Sequence, residues 1–350
     1  TCAGCSATTF GAGISDQAAI EDVVSGKRGL RLRVAGAALA AAKLSRVDAQ
    51  RTLEYQVKQQ YFQVVLARAA FDFAKEVQAS SEQTLELNKK RYSLGAIDEG
   101  ILARVETTKL ESDQAVDTAS ANLRLARVSM AFLLGFRGHV PDFEVERERL
   151  NFAVPDRLQA PSAAALMRDA IEHRPDLKAL GYQRDRAEAS IDLEKRKRFP
   201  DIALSAQYTQ TGTGQLAIQP PTIIFGISTP IPILYQNQGE IRRAEADYRG
   251  QTLVQARLYA QVAAEVESAL TAFSVSKQLV ERMESVLLAR AKTARDIVKR
   301  QFEGGTTSLI DFLDAQRTFT ATNLEYLQDL TNYWTAVAQL ELAVGAELRK

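Results

Sequence analysis

Apolar side chains recur along most of this chain by threes, fours and sevens, the spacing of a helix that buries one stripe. Val262, Val266, Leu270, Phe273, Val280, Met283, Leu287, Ala294 and Val298 keep that spacing. They predict a helix over 240–303 whose seam packs as in a coiled coil or long bundle. At 1.5 Å per residue it would span on the order of 90–100 Å. Gly304-Gly305 predicts its C-terminal cap, and Thr307 or Ser308 the N-cap of a further helix over 308–342. A turn so short makes the two an antiparallel hairpin. The same pattern predicts helices over 27–92 and 101–134 about a turn at Gly95. It predicts another over 162–198, broken near Arg174-Pro175-Asp176, where proline suits a first helical turn. All nine prolines lie between Pro141 and Pro232, so the long flanks carry no breaker of that kind.

Between the helices the period falls to two. Ile202, Leu204, Ala206 and Tyr208 alternate with Ala203, Ser205, Gln207 and Thr209 and predict a strand over 201–211. A loop, Thr211–Pro221, leads to a second strand over 222–233, ending in Pro230 and Pro232, which a ladder accepts only at its margin. Three glycine pairs, Gly29 with Gly239, Gly95 with Gly305 and Gly135 with Gly345, share a separation of 210 residues. The chain therefore reads as two copies of a long unit, over 1–140 and 162–350, joined by a linker at 141–161. On that register Thr1 answers to Thr211, and the first copy has no counterparts of residues 161–210, its first helix and first strand. Thr8–Val24 falls where its second strand belongs, but Ser15, Asp16, Glu21 and Asp22 predict a poor one.

Charge and chemistry then narrow the function. With 44 basic against 43 acidic residues there is no basic footprint for nucleic acid. No run of about 18 apolar residues predicts a transmembrane helix. Cys2 and Cys5 have no second pair to complete a zinc site; terminal disorder and a lipid-bearing cysteine are the two readings. His139 and His173, the only histidines, stand alone, so no metal site is expected. No phosphate loop, ligand cluster or nucleophile with a partner histidine points to an enzyme or a cofactor. The run Glu194-Lys195-Arg196-Lys197-Arg198 reads as a solvated helix end at a membrane surface.

Several motifs, in this order and spacing, resemble the TolC-like outer membrane factors of Gram-negative efflux systems. They are Arg174-Pro175-Asp176-Leu177 before a helix, Phe199-Pro200-Asp201-Ile202 entering a strand and Pro230-Ile231-Pro232-Ile233 leaving one. Asn237-Gln238-Gly239-Glu240-Ile241 opens the long helix, and Gly305 to Gln316 forms a hairpin tip. The Pro-Ile-Pro and Asn-Gln-Gly-Glu-Ile runs are closest to members serving heavy-metal exporters. The resemblance implies a mainly α chain with a small β part. Long helical hairpins would form a periplasmic α-barrel, and four strands per chain would join a twelve-strand outer-membrane β-barrel shared by a homotrimer. It implies a duct that takes cargo from a periplasmic adaptor (membrane fusion) protein and, indirectly, an inner-membrane pump. Outer-membrane lipid is its surroundings; no chemistry is catalysed.

Asp311 and Asp314 share a helix face, and on the residues alone they complement the helix dipole. The resemblance implies instead a pore constriction, where rings of inward carboxylates select cations. The arginine that helps lock this entrance in the family's type member is replaced here by Thr307. Ile101 in the first copy stands where an aspartate would be expected. The tips Gly95, Ala96 and Asp98, and Gly305, Thr306 and Ser308, are the implied adaptor contacts; without the resemblance they are two helix turns. The competing readings are a soluble or periplasmic coiled-coil scaffold, for which the alternating segment 201–233 has no use, and a non-functional truncated paralogue.

Overall fold

The structure is a computed structural model that describes residues 9–16, 25–138, 143–145, 151–199, 202–211, 220–229 and 234–348. Cys2, Cys5, His139, Pro230 and Pro232 lie outside the described residues. The chain is mainly helical. Its helices are α1 (Lys27–Ser93), α2 (Glu99–Leu133), α3 (Ala163–His173), α4 (Pro175–Arg196), α5 (Gln238–Arg282), α6 (Leu288–Glu303) and α7 (Leu309–Val344). Three strands, β1 (Thr9–Asp16), β2 (Ala203–Thr211) and β3 (Thr222–Ser228), form one antiparallel sheet in that order.

Two compact units each draw on both halves of the sequence. One comprises Thr1–Val47 with Pro175–Ala260, and the other Asp48–Arg174 with Gln261–Lys350. The first holds the sheet. There β1 corrects the expectation of a poor strand: eight residues pair with β2 from Thr9 opposite Thr211 to Asp16 opposite Leu204. Polar residues are accepted because the ladder is made by backbone groups, which β2 leaves open on that edge.

The second unit is organised around α7, the helix with the most buried residues among those described. Tyr333, fully buried, packs edge-on to Trp334 at 5.3 Å and to Phe152 at 5.1 Å, and lies 5.7 Å from Phe273. Its hydroxyl donates to the Ala153 carbonyl at 2.9 Å, which satisfies that polar group inside the aromatic core. The C-terminal carbonyls of α7 are capped from outside the helix: Arg51 donates to Leu342 O at 2.6 Å and buried Arg174 to Ala343 O at 3.0 Å. Gly345 closes the helix at φ +76° and donates to Glu341 O at 2.9 Å.

The long helix over 240–303 is corrected in one respect. Its α-geometry is interrupted by a π-turn, Met283–Leu287, between α5 and α6. The buried seam shows why this matters. Val262, Val266, Ala269, Phe273, Val280 and Met283 are buried at coiled-coil spacing, but Leu287 and Ala294, predicted to continue it, are exposed. The covered positions resume at Leu288 and run through Ala291, Arg295, Val298 and Phe302: Leu288 and Arg295 stand one residue after the predicted Leu287 and Ala294, while Val298 is covered as expected. A π-turn takes up one residue more than an α-turn, which shifts the stripe by that amount. Glu284, inside the turn, accepts a 2.6 Å hydrogen bond from the Tyr326 hydroxyl of α7.

Candidate functional site

Both helical hairpins end in the same backbone construction. After α1, Gly95 takes φ +70°, its N–H donates to Tyr92 O at 2.9 Å, and Ala96 N–H donates to Arg91 O at 2.8 Å. After α6, Gly305 takes φ +76°, with Gly305 N–H to Phe302 O at 3.1 Å and Thr306 N–H to Gln301 O at 2.9 Å. These are Schellman closures, and the left-handed position explains the glycine in each tip. The next helix is capped three residues on. Asp98 accepts from Ile101 N–H at 2.8 Å in the first tip, and Ser308 from Asp311 N–H at 3.1 Å in the second. Ser308, and not Thr307, is therefore the N-cap.

Asp311 completes this cap reciprocally. The Ser308 hydroxyl donates to its carboxylate at 2.7 Å and the Thr307 hydroxyl at 3.3 Å. The Ser308 bond holds the Asp311 carboxyl below the usual carboxylate range, so it is ionised at neutral pH. Asp314, one turn on, is exposed on the same side. The two begin a longer feature that the sequence reading missed. Asp311, Asp314, Thr318, Ala321, Glu325, Gln328 and Asn332 are all exposed and step by threes and fours. They form an almost wholly polar stripe at coiled-coil spacing along α7. Asp329 beside it is pushed above its ordinary range by burial and by the Glu325 charge. The signal was present in the sequence as a polar period that mirrors the apolar one.

The tips are also tied to each other, by a residue the sequence reading did not single out. Arg91, near the end of α1, donates to Phe302 O at 3.1 Å and Glu303 O at 2.9 Å. Its guanidinium lies 4.9 Å from the Phe302 ring centroid. Phe302 in turn stacks on Phe312 at 5.1 Å, within a core that adds Leu85, Val105, Leu309 and Leu313. A cation at the C-terminus of α6 both caps it and complements its dipole. Replacing Arg91 by alanine is expected to free the tips locally, by about 1–2 kcal/mol. Hydrogen exchange of amides in 300–306 is then faster than in the wild type; unchanged exchange would remove Arg91 from this role.

The sheet supplies the second candidate feature. The register places Leu204, Ala206 and Tyr208 of β2 directly opposite Ile227, Phe225 and Ile223 of β3, so all six share one face. The other face carries Ser205, Gln207 and Thr209 opposite Gly226, Ile224 and Thr222. The apolar face is open: Phe225 is 80% exposed and Ile227 77%. One apolar and one mainly polar face, alternating along β2 and broken in β3 by Ile224, is the signature of a membrane β-barrel wall. Both edge strands, β1 and β3, are unpaired on their outer sides among the described residues. No helix among them is long and apolar enough to cross a membrane. They hold no cluster of three or more metal-ligating side chains, and exposed His173 sits on a helix end with Nδ1 2.9 Å from Asp169 O.

Comparison with known proteins agrees with this architecture. The sequence is 25% identical over 329 residues to the cobalt-zinc-cadmium resistance protein CzcC of Cupriavidus metallidurans, covering 92% of this chain and 74% of that protein. The fold is similar to a membrane protein from Pseudomonas aeruginosa, with a TM-score of 0.78 at 18% identity, covering 97% of this chain and 83% of that one. It is also similar to the open state of the MtrE outer membrane channel of Neisseria gonorrhoeae, with a TM-score of 0.75 at 18% identity over 99% of this chain and 81% of that one. The pattern of the outer membrane efflux protein family matches residues 166–346, more than half of the chain. Helical hairpins with matched tips, an amphipathic open sheet and this match together make the chain a member of the outer membrane efflux protein family, an outer-membrane efflux duct of the Gram-negative cell that extends into the periplasm.

Proposed function

We propose that three copies of this chain close their sheets into one barrel and their hairpins into one tube, and that the polar stripe of α7 lines the passage. The edges of β1 and β3 support the assembly, because lipid tolerates no unpaired strand edge. The observation that carries the pore reading is the stripe itself, exposed and hydrophilic at the spacing that would otherwise make a helix–helix seam. Asp311 and Asp314 then form the constriction at the periplasmic mouth, and the exposed tips at Gly95–Asp98 and Gly305–Ser308 meet a periplasmic adaptor that connects the duct to an inner-membrane pump. The duct carries cargo without chemistry, and the CzcC relative brings divalent heavy metals into the range of that cargo.

Carboxylate rings favour cations over anions, so the test is ion selectivity. Asn at both positions keeps an oxygen for the Ser308 cap while removing the charge. In planar bilayers Asp311→Asn with Asp314→Asn is expected to lower the potassium-to-chloride permeability ratio several-fold. An unchanged ratio and conductance would take both residues out of the pore.

A further inference from the structure

Three helix ends meet beside the sheet, all within the first unit. Buried Lys27, at the start of α1, donates to Phe199 O at 2.9 Å. Arg196, at the end of α4, donates to Ser25 O at 2.6 Å. Asn237, in the left-handed conformation before α5, donates to Glu194 O at 3.0 Å and to its carboxylate at 2.8 Å. Burial pushes the Glu194 carboxyl up, but bonds from Lys197 and Asn237 outweigh it and keep it ionised. The junction is thus cross-linked.

Its charge is one-sided. Residues 25–34, 192–199 and 234–243 carry ten cations: Lys27, Arg28, Arg31 and Arg33, then Lys195 to Arg198, then Arg242 and Arg243. Against them stand three acids, Asp192, Glu194 and Glu240, giving +7 over these 28 residues. The whole chain is +1, so the remaining 322 residues sum to −6. Glu21, Asp22 and Asp201 lie outside the described residues and are not counted. Every cation of the group except Lys27 is exposed. Among them stand exposed apolar and aromatic side chains, Leu32, Phe199, Ile202, Leu234 and Tyr235. Cations mixed with aromatics, next to an apolar sheet face, are what a protein presents to lipid headgroups at a bilayer boundary.

We infer that this junction is a collar that binds the anionic phospholipid headgroups of the leaflet facing the periplasm. The inference rests on the outer-membrane reading of the sheet. Phosphodiester groups meet arginine and lysine through charge-assisted hydrogen bonds, and a cluster of four or more cations at a membrane boundary selects anionic lipid. The shared chemistry is the lipid phosphate. The commitment to a bilayer, and not to a soluble polyanion, comes from the exposed apolar residues interleaved with the cations.

The full chain is reconstituted into vesicles of equal parts phosphatidylglycerol and phosphatidylcholine, floated, re-extracted in mild detergent, and its retained lipid quantified by mass spectrometry. The wild type is expected to retain phosphatidylglycerol roughly fivefold over phosphatidylcholine. Arg28→Gln with Lys195→Gln, Arg198→Gln and Arg242→Gln should retain the two nearly equally. These four exposed residues make none of the junction's cross-links, and an unchanged helical melting curve verifies the fold. The control Lys43→Gln with Arg46→Gln, further along α1, should keep the preference. Flotation without any preference, or a preference that the fourfold variant keeps, overturns the collar alone. Failure to float with any vesicle overturns the outer-membrane reading and the collar with it.

Discussion

Phe225→Lys with Ile227→Lys is expected to remove this protein from the outer membrane. Both side chains sit on the open apolar face of β3, opposite Ala206 and Leu204. A lysine facing lipid costs about 2–4 kcal/mol at the bilayer midplane. Two on adjacent outward positions of one strand approach the whole stability of a typical domain. The helices owe nothing to this face, so helical circular dichroism should stay close to wild type while recovery in the outer-membrane fraction falls. The matched control uses the other face: Ser205→Lys with Gln207→Lys adds the same charge where the wall is polar, and recovery should persist. If the first pair is recovered as well as the wild type, the apolar face does not meet lipid.

The second large effect is expected where α7 ends. Gly345 has φ +76°, which costs an L-residue about 1–2 kcal/mol. A methyl group there would also stand 3.1 Å from Arg174 Cγ and 3.3 Å from its Cα and N. Arg174 cannot retreat, being buried and held by Glu265 at 2.7 Å and Ala343 O at 3.0 Å. Gly345→Ala should therefore lose about 2–3 kcal/mol in urea unfolding. Gly135→Ala provides the comparison. Its φ of +91° is equally left-handed, but nothing lies within 4 Å of the added atom, so only the backbone cost of about 1–2 kcal/mol applies. Equal losses at the two sites would show that the Arg174 contact carries no weight. Arg174→Ala should itself cost about 2–3 kcal/mol. It strands the Ala343 carbonyl, while the partly exposed Glu265 recovers some solvation.

What the sequence revealed follows from how local each signal is. The helices were legible because an apolar stripe with caps at Gly95, Asp98, Gly305 and Ser308 is written within a few residues. The alternation at 202–209 was equally plain. The π-turn was not, because nothing in Met283–Leu287 forbids an ordinary helix; it shows only in the fold, where Met283 is buried and Glu284 accepts the Tyr326 bond. Strand β1 was hidden because it owes its form to an edge nearly 200 residues away. Arg91 looked like any lysine-arginine helix end until the fold carried it to carbonyls 211 and 212 residues along. The two aspartates were readable, but the stripe they begin required looking for polar residues with an apolar residue's period.

One consequence of the π-turn reaches beyond its own helix. From Phe73 to Gly95 and from Met283 to Gly305 the chain takes 22 residue steps each, and both stretches begin on a buried residue and end on a left-handed glycine. The first is unbroken α-helix, whereas the second opens with the π-turn. One residue taken up in this way rotates everything after it by about 100° around the helix axis. Both stretches nevertheless reach their glycine in the same phase: the covered residues ten and seven before it are Leu85 and Asn88 in the first and Arg295 and Val298 in the second. The change in winding is therefore spent above the tips, and in the proposed trimer both kinds of tip can meet the adaptor in the same orientation.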